Sequence, residues 1–288
     1  MAVDYKALKN GGFMRQRQKD HFSLRLKVVG GNLSADQLKT VAKVADAYGS
    51  GHVHLTSRQG LEIPFVKLKD IESVKADLAK GGVETGVCGA RVRTVTACQG
   101  GEICPSGCVD TLSLAQEISK RYFGRALPHK FKFGVTGCQN NCLKAEENDL
   151  GVKGGYLISW QADECSFCGV CAKVCRLGAI RVLKTKVTLN PKKCNNCGRC
   201  VKACPTDAWE GRPGYLISFG GSFGNNIAKG RRLTPITSDR AAVLRASDAA
   251  LDFFSAHGQP GERFRITVDR VGWGPLAQLV EERIDSGK

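Results

Sequence analysis

Eight of the fourteen cysteines stand in two matching runs. Cys165, Cys168, Cys171 and Cys175 form C-x2-C-x2-C-x3-C; Cys194, Cys197, Cys200 and Cys204 repeat it, with Pro205 after the last. Three thiolates on so tight a turn wrap one iron–sulfur cubane, and the fourth, on a short helix, reaches across to the neighbouring one. The spacing therefore assigns Cys165, Cys168, Cys171 and Cys204 to one [4Fe–4S] cluster and Cys194, Cys197, Cys200 and Cys175 to another. Zinc sites usually draw on two separated C-x2-C pairs, a pattern these doubled triplets do not follow. Disulfide scaffolds of this density are short and exported, whereas this 288-residue chain opens on MAVDYKALKNGGFMRQRQKD, which holds no apolar stretch. Thiolate ligation in a soluble, cytoplasmic protein is the expectation.

A third set is Cys98 and Cys104 (C-x5-C) with Cys138 and Cys142 (C-x3-C). Alone, this spacing also suits buried packing cysteines. Cys88 and Cys108 are left over and read as small buried hydrophobes, although Cys108 follows Cys104 by four residues and leaves the second ligand open. Lys130 and Lys132 alternate on an expected strand, so both project to one face while Phe131 and Phe133 take the other. That places two charges in a cleft backed by an apolar wall. The loop FGGSFGNNIAKGRR can offer backbone N–H groups, Lys229, Arg231 and Arg232 to an anion. It lacks the spacing of a dinucleotide fingerprint.

The stretches TACQGGEIC, LPHKFKFGVTGCQNNC and ENDLG resemble the siroheme-and-cluster motif of the sulfite and nitrite reductase family. HFSLRLKVVGG and HLTSRQGLEIPF resemble that family's ferredoxin-like half-domain. The double cysteine insert makes the chain similar to the family's small sulfite-reducing members. The resemblance runs nearly the full length and is weakest after about residue 233. It implies that Cys98, Cys104, Cys138 and Cys142 hold a third [4Fe–4S] cluster, with Cys142 also bridging to the siroheme iron. By the same resemblance Arg58 (in TSRQ), Arg93 (in RVRTV), Lys130 and Lys132 bind the substrate anion. Any one of them alone would read as a solvated surface charge. Arg91 competes with Arg93 for this role, and the RTV that follows favours Arg93. Gln59 and Asn140 are implied as hydrogen-bond partners of siroheme carboxylates. The family's usual proline after the third cysteine is Gln139 here, which removes no ligand.

These residues need elements to position them. Phe22, Leu24, Leu26 and Val28 alternate with polar residues, as in a half-buried strand. Ser34 can cap a helix with Leu38, Val41, Ala45 and Tyr48 on its apolar face, ended by Gly49. Strands led by Val53 and Leu55, and by Leu61, Ile63 and Phe65, precede a helix over 68–80. Helices are also expected near 109–122, over 238–256 and around PLAQLVEERI, and a strand at KFKFGV. The predicted class is α+β. Residues 1–80 form a ferredoxin-like half-domain. Residues 81–160 and 211–288 form the siroheme/[4Fe–4S] core with C-terminal helices. Residues 161–210 are an inserted bacterial-type 2[4Fe–4S] ferredoxin domain. The phrase GYLIS at 155–159 and 214–218 brackets that island.

The 43 Lys and Arg against 27 Asp and Glu give a net charge of +16. Three cubanes carry about −6 in all, and siroheme, as the family uses it, adds about eight carboxylates. A holoprotein near +2 accounts for the excess without nucleic acid, for which no recognition motif is present. No run approaches the ~20 apolar residues of a membrane helix. The resemblance implies a siroheme-dependent sulfite reductase in sulfur metabolism, with electrons relayed through the ferredoxin-type clusters. Its donor would be a separate ferredoxin or flavoprotein subunit, in an anaerobic or well-reduced cytoplasm. Nitrite reduction to ammonia by the same machinery is the nearest alternative, and a non-catalytic iron–sulfur electron-transfer subunit is another. A single copy of the half-domain unit, where larger members have two, suggests a homo-oligomer.

Overall fold

The structure is a computed structural model that describes residues 3–286. After a short helix α1 (Tyr5–Asn10), an antiparallel sheet is built from β1 (Phe13–Arg15), β2 (His21–Arg25), β3 (His54–Leu55) and β4 (Leu61–Lys67), in the order β1-β2-β4-β3. The period-two pattern buries Phe22 and Leu24 on β2, and Leu26 and Val28 beyond it, against α2 (Ala35–Tyr48) and α3 (Ile71–Lys80). Ser34 and Gln37 form a reciprocal capping box at the start of α2, and Gly49 ends the helix. Leu38, expected on its apolar face, is 52% exposed. Val44 is buried instead, so the stripe is Val41, Val44, Ala45 and, half-buried, Tyr48. A second departure lies on β4. The register slips by one residue opposite Phe22 and Leu24, and Phe65 takes φ +65°. This bulge turns Val66 inward in place of Phe65.

A second sheet has the order β10-β7-β6-β5. Its strands are β5 (Thr96–Ala97), β6 (Phe133–Thr136), β7 (Leu150–Trp160) and β10 (Trp209–Phe219). β5 runs parallel to β6 and β6 to β7, whereas β7 and β10 are antiparallel. Helix α4 (Thr111–Tyr122), capped by Asp110, buries Leu114 and Ile118 in the core of this sheet. Helices α7 (Arg240–His257), α8 (Phe264–Val271) and α9 (Trp273–Asp285) complete that core with Leu251, Phe254, Phe264 and Val280. α8 carries only eight residues and was not anticipated as a separate element.

β7 and β10 pair through eleven residues, from Leu150↔Phe219 to Trp160↔Trp209, with Gly155 opposite Gly214. The two GYLIS phrases therefore lie on the paired strands and oppose each other only at their glycines. Between their ends the chain makes an excursion of two short helices, α5 (Val170–Val174) and α6 (Arg199–Lys202), and a hairpin of β8 (Ile180–Val182) and β9 (Val187–Leu189). Its small core is Cys171, Ile180, Val187, Cys200 and Trp209. So little apolar surface cannot hold fifty residues by itself; small units of this kind depend on cross-links or metal.

Candidate active site and cysteine sets

A cavity of about 280 Å³ opens between the N-terminal sheet and the second sheet, and Arg25, Arg58, Arg93, Lys130 and Lys132 all line it. Arg58 sits on the turn between β3 and β4, closed by Thr56 N–H on the Gly60 carbonyl and Gln59 N–H on the Thr56 carbonyl. Both ends of the Gln59 amide bond the backbone of Ala97 on β5, at 2.8 and 3.0 Å. Gln59 thus fastens the turn to the second sheet and does not itself line this cavity. Arg58 is held by Asn148 Oδ1 at 2.8 Å and the Thr94 carbonyl at 3.3 Å.

Arg93 donates to the carbonyls of Val87 and Gly89, both at 3.1 Å, and its Nε is buried without a partner. Arg91 turns away, bonding the Gly124 carbonyl, and stays outside the cavity. Lys130 and Lys132 lie on the extended chain that leads into β6, while Phe131 and Phe133 are wholly buried in the aromatic core. Arg25 spans Glu62 and the buried Cys88, donating to its Sγ at 3.2 Å.

Two residues not singled out from the sequence hold this arrangement together. Asp149, fully buried, accepts the Lys132 backbone N–H at 2.9 Å and pairs with Arg263 at 3.1 and 3.2 Å. Arg263 comes from the start of α8, over a hundred residues away, and its Nε is also buried and unpartnered. Asn148 and Asp149 lie within the ENDLG phrase, the one local signal; nothing near Arg263 marks it. Burial, reinforced by the Arg58 and Arg263 charges and opposed by Asp149, depresses the Lys132 ammonium to about 8. Burial also lowers Arg58, to about 10, and lowers Arg93, Lys130 and His129. Desolvation raises Asp149 despite its arginine partner. Such crowding of buried cations, two with orphaned N–H groups, is costly unless an anion joins them.

Lys130 also borders a second cavity, of about 480 Å³, with Arg263, Arg265 and the glycine-rich loop at Ser222–Asn226. Lys229, Arg231 and Arg232 of that loop line neither cavity and are exposed. Arg231 stacks on the Trp273 ring at 4.5 Å, and Arg232 stands near Cys194.

Because β5 and β6 are parallel neighbours, Cys98 and Cys138 leave the same edge of the sheet. The Cys98 Sγ accepts the Gly137 N–H at 3.1 Å. The loop carrying Cys104 folds back so that the Cys108 N–H reaches the Gly137 carbonyl at 2.7 Å. Cys142 follows a left-handed Asn141 (φ +54°) and is exposed.

The other eight cysteines divide around two cavities. Cys165, Cys168, Cys171 and Cys204 line one, and Cys175, Cys194, Cys197 and Cys200 the other, of about 190 Å³. The two turns are copies: Phe167 and Asn196 take φ +54° and +63°, Gly169 and Gly198 take +76° and +71°. In each, the left-handed residue aims its N–H at a sulfur 3.4 Å away, Phe167 at Cys165 and Asn196 at Cys194. Among the described residues no three His, Cys, Asp or Glu come close enough for a single metal ion. A cubane instead holds its thiolates around a wider body, and the donor sets fit one. Trp209, on the first cavity, turns its buried indole N–H toward the Cys171 sulfur, a donor that suits a cluster thiolate. Burial, with Cys194 and Cys197 adding to it, pushes the Cys200 thiol up to about 12, and a bound metal would hold it as thiolate.

Residues 88–287 match the nitrite and sulphite reductase 4Fe-4S domain, and residues 14–81 match the nitrite/sulfite reductase ferredoxin-like half domain. The chain belongs to the nitrite and sulfite reductase family, a family of oxidoreductases. It is 31% identical over 275 residues to the coenzyme F420-dependent sulfite reductase of Methanocaldococcus jannaschii, covering 94% of this chain and 44% of that protein. It is 33% identical over 236 residues to one of the subunits of the anaerobic sulfite reductase of Salmonella typhimurium, covering 75% of this chain and 69% of the relative. The chain thus spans less than half of the first relative and about two thirds of the second. The solved dissimilatory sulfite reductase I superposes with a TM-score of 0.74 at 20% identity, over 91% of this chain and 69% of that one, which shows the shared fold. Among the described residues no helix is long and apolar enough to cross a membrane.

Proposed function

We propose that the chain is a siroheme-dependent sulfite reductase, converting hydrogensulfite, six electrons and six protons into hydrogensulfide and three waters. One observation carries the reading: Arg58, Arg93, Lys130 and Lys132, from three separate stretches of chain, converge on a single cavity. When bound, siroheme supplies an electron-rich iron that can take sulfur as a ligand. Arg58 and Arg93, anchored through carbonyls and Asn148, hold the anion's oxygens and stabilise charge as S–O bonds break. Lys132, lowered to about 8, can give protons to departing oxygens as well as charge, and burial lowers Lys130 in the same direction. Arg263 and Lys130, with backbone N–H groups of the 222–226 loop, suit the anionic rim of a large macrocycle.

In this reading residues 161–210 are the inserted ferredoxin domain, the chain carries three [4Fe–4S] clusters, and a separate low-potential protein supplies electrons in a reducing cytoplasm. A second copy of the chain stands in for the missing half-domain repeat.

An anaerobic absorption spectrum with iron quantified on the same sample tests this. Siroheme bands with about 13 irons per chain (three cubanes and one haem iron) are expected, with turnover of sulfite exceeding that of nitrite. Faster nitrite turnover would move the assignment to nitrite reduction. Cluster absorption without porphyrin bands, after siroheme-replete expression, would leave an electron-transfer subunit.

A further inference from the structure

The two cysteine cavities of the excursion are not equivalent with respect to the third set. Gln139 and Asn140, which lie between Cys138 and Cys142, line the cavity of Cys175, Cys194, Cys197 and Cys200. No residue from 98–142 lines the cavity of Cys165, Cys168, Cys171 and Cys204, whose Cys168 is exposed. The contact is built, not incidental. Gln139 donates from Nε2 to the Gly154 carbonyl of β7 at 3.0 Å. Two residues on, Tyr156 exchanges hydrogen bonds with Asn196, N–H to carbonyl at 2.9 Å and Asn196 Nδ2 to the Tyr156 carbonyl at 3.1 Å. A Cβ on Gly198, the residue after Cys197, would lie 2.2 Å from the Tyr156 ring. The Tyr156 hydroxyl faces the Cys108 thiol, which stands near both Cys138 and Cys197. β7 is therefore the shared wall of the two sites, with Gln139 on one side and Tyr156 against the other.

We infer that the Cys175/Cys194/Cys197/Cys200 set is the inner relay, joined to the third set across Gln139 and Tyr156, and that the Cys165/Cys168/Cys171/Cys204 set is the outer acceptor. This rests on the cluster assignments proposed above. An electron from an external low-potential one-electron donor reduces the outer cubane, passes to the oxidised inner one, and leaves it oxidised again on reaching the third. Six such single transfers, each matched by a proton at the anion site, complete one turnover.

The test is electron paramagnetic resonance of the dithionite-reduced holoprotein, with Cys168→Ser and Cys197→Ser as tags and iron and siroheme assayed on the same samples. Spin–spin broadening of the siroheme-linked centre should survive in Cys168→Ser and be lost or reshaped in Cys197→Ser, whether serine replaces the ligand or the cluster is lost. The reverse pattern, or no interaction in the wild type with every signal present, would overturn the order. Clusters without siroheme would instead refute the enzyme reading; the order is then read from broadening of the third cubane. Should either tag prevent folding, Gln139→Leu is expected to shift the midpoint potential of one ferredoxin-type cluster and spare the other. Equal shifts in both, or in neither, would count against the inferred joint.

Discussion

Lys132 is the residue whose chemistry is most exposed to test. In the proposed reaction its ammonium is the active form, and burial with Arg58 and Arg263 lowers it to about 8, so the charge is present below that pH and lost as pH rises through it. Turnover should therefore fall on the alkaline side with an apparent pKa near 8, read from a pH profile at saturating sulfite. Lys132→Arg should remove that limb, and Lys132→Met should lower turnover about 10²- to 10³-fold, the usual cost of losing one preorganised donor. Asp149 acts on the same group from below. Its charge raises Lys132, so Asp149→Asn should move the alkaline limb to lower pH. The same change strands the Arg263 guanidinium, and denaturant unfolding should show a loss of about 3–5 kcal/mol.

At the scale of elements, glycine placement separates the two copied turns. Gly198 and Gly169 share a left-handed conformation that costs an L-residue about 1–2 kcal/mol. Only Gly198 also faces a ring; a Cβ at Gly169 would meet nothing within 4 Å. Gly198→Ala should lose about four irons per chain, whereas Gly169→Ala keeps them, by iron assay. Ser34→Ala, on neither the cationic nor the cysteine-lined cavities, should cost about 1 kcal/mol through the lost cap of α2 and leave iron content unchanged. Much at this level was legible beforehand. Period-two burial on β2, the Ser34 cap and the Lys130/Lys132 alternation all follow from neighbours in sequence. Phe65 and Leu38 were misjudged because a bulge and a neighbouring turn of helix decide their facing. The bonds from Gln59 to Ala97 were not legible because only tertiary folding brings the two together. Asp149–Arg263 escaped notice for the same reason.

For the whole molecule the dominant quantity is charge. A net +16 without bound groups is self-repelling, and the cationic cavities concentrate part of it where sheets meet. Loading the clusters and siroheme should therefore lower the isoelectric point toward neutrality, measurable by focusing apo- and holoprotein side by side. Resistance to unfolding should rise on loading too, most of all for residues 161–208, whose apolar core is so slight.

The pairing of Trp160 with Trp209 has a last consequence. The excursion departs and returns through adjacent positions of one antiparallel ladder. In the order of the chain it occupies the place of a hairpin loop, and a two-residue turn would close the same strands. In the proposed reading the wiring is set into one hairpin, so its outer turn can change with the donor while the Tyr156–Asn196 joint keeps the inner one in place.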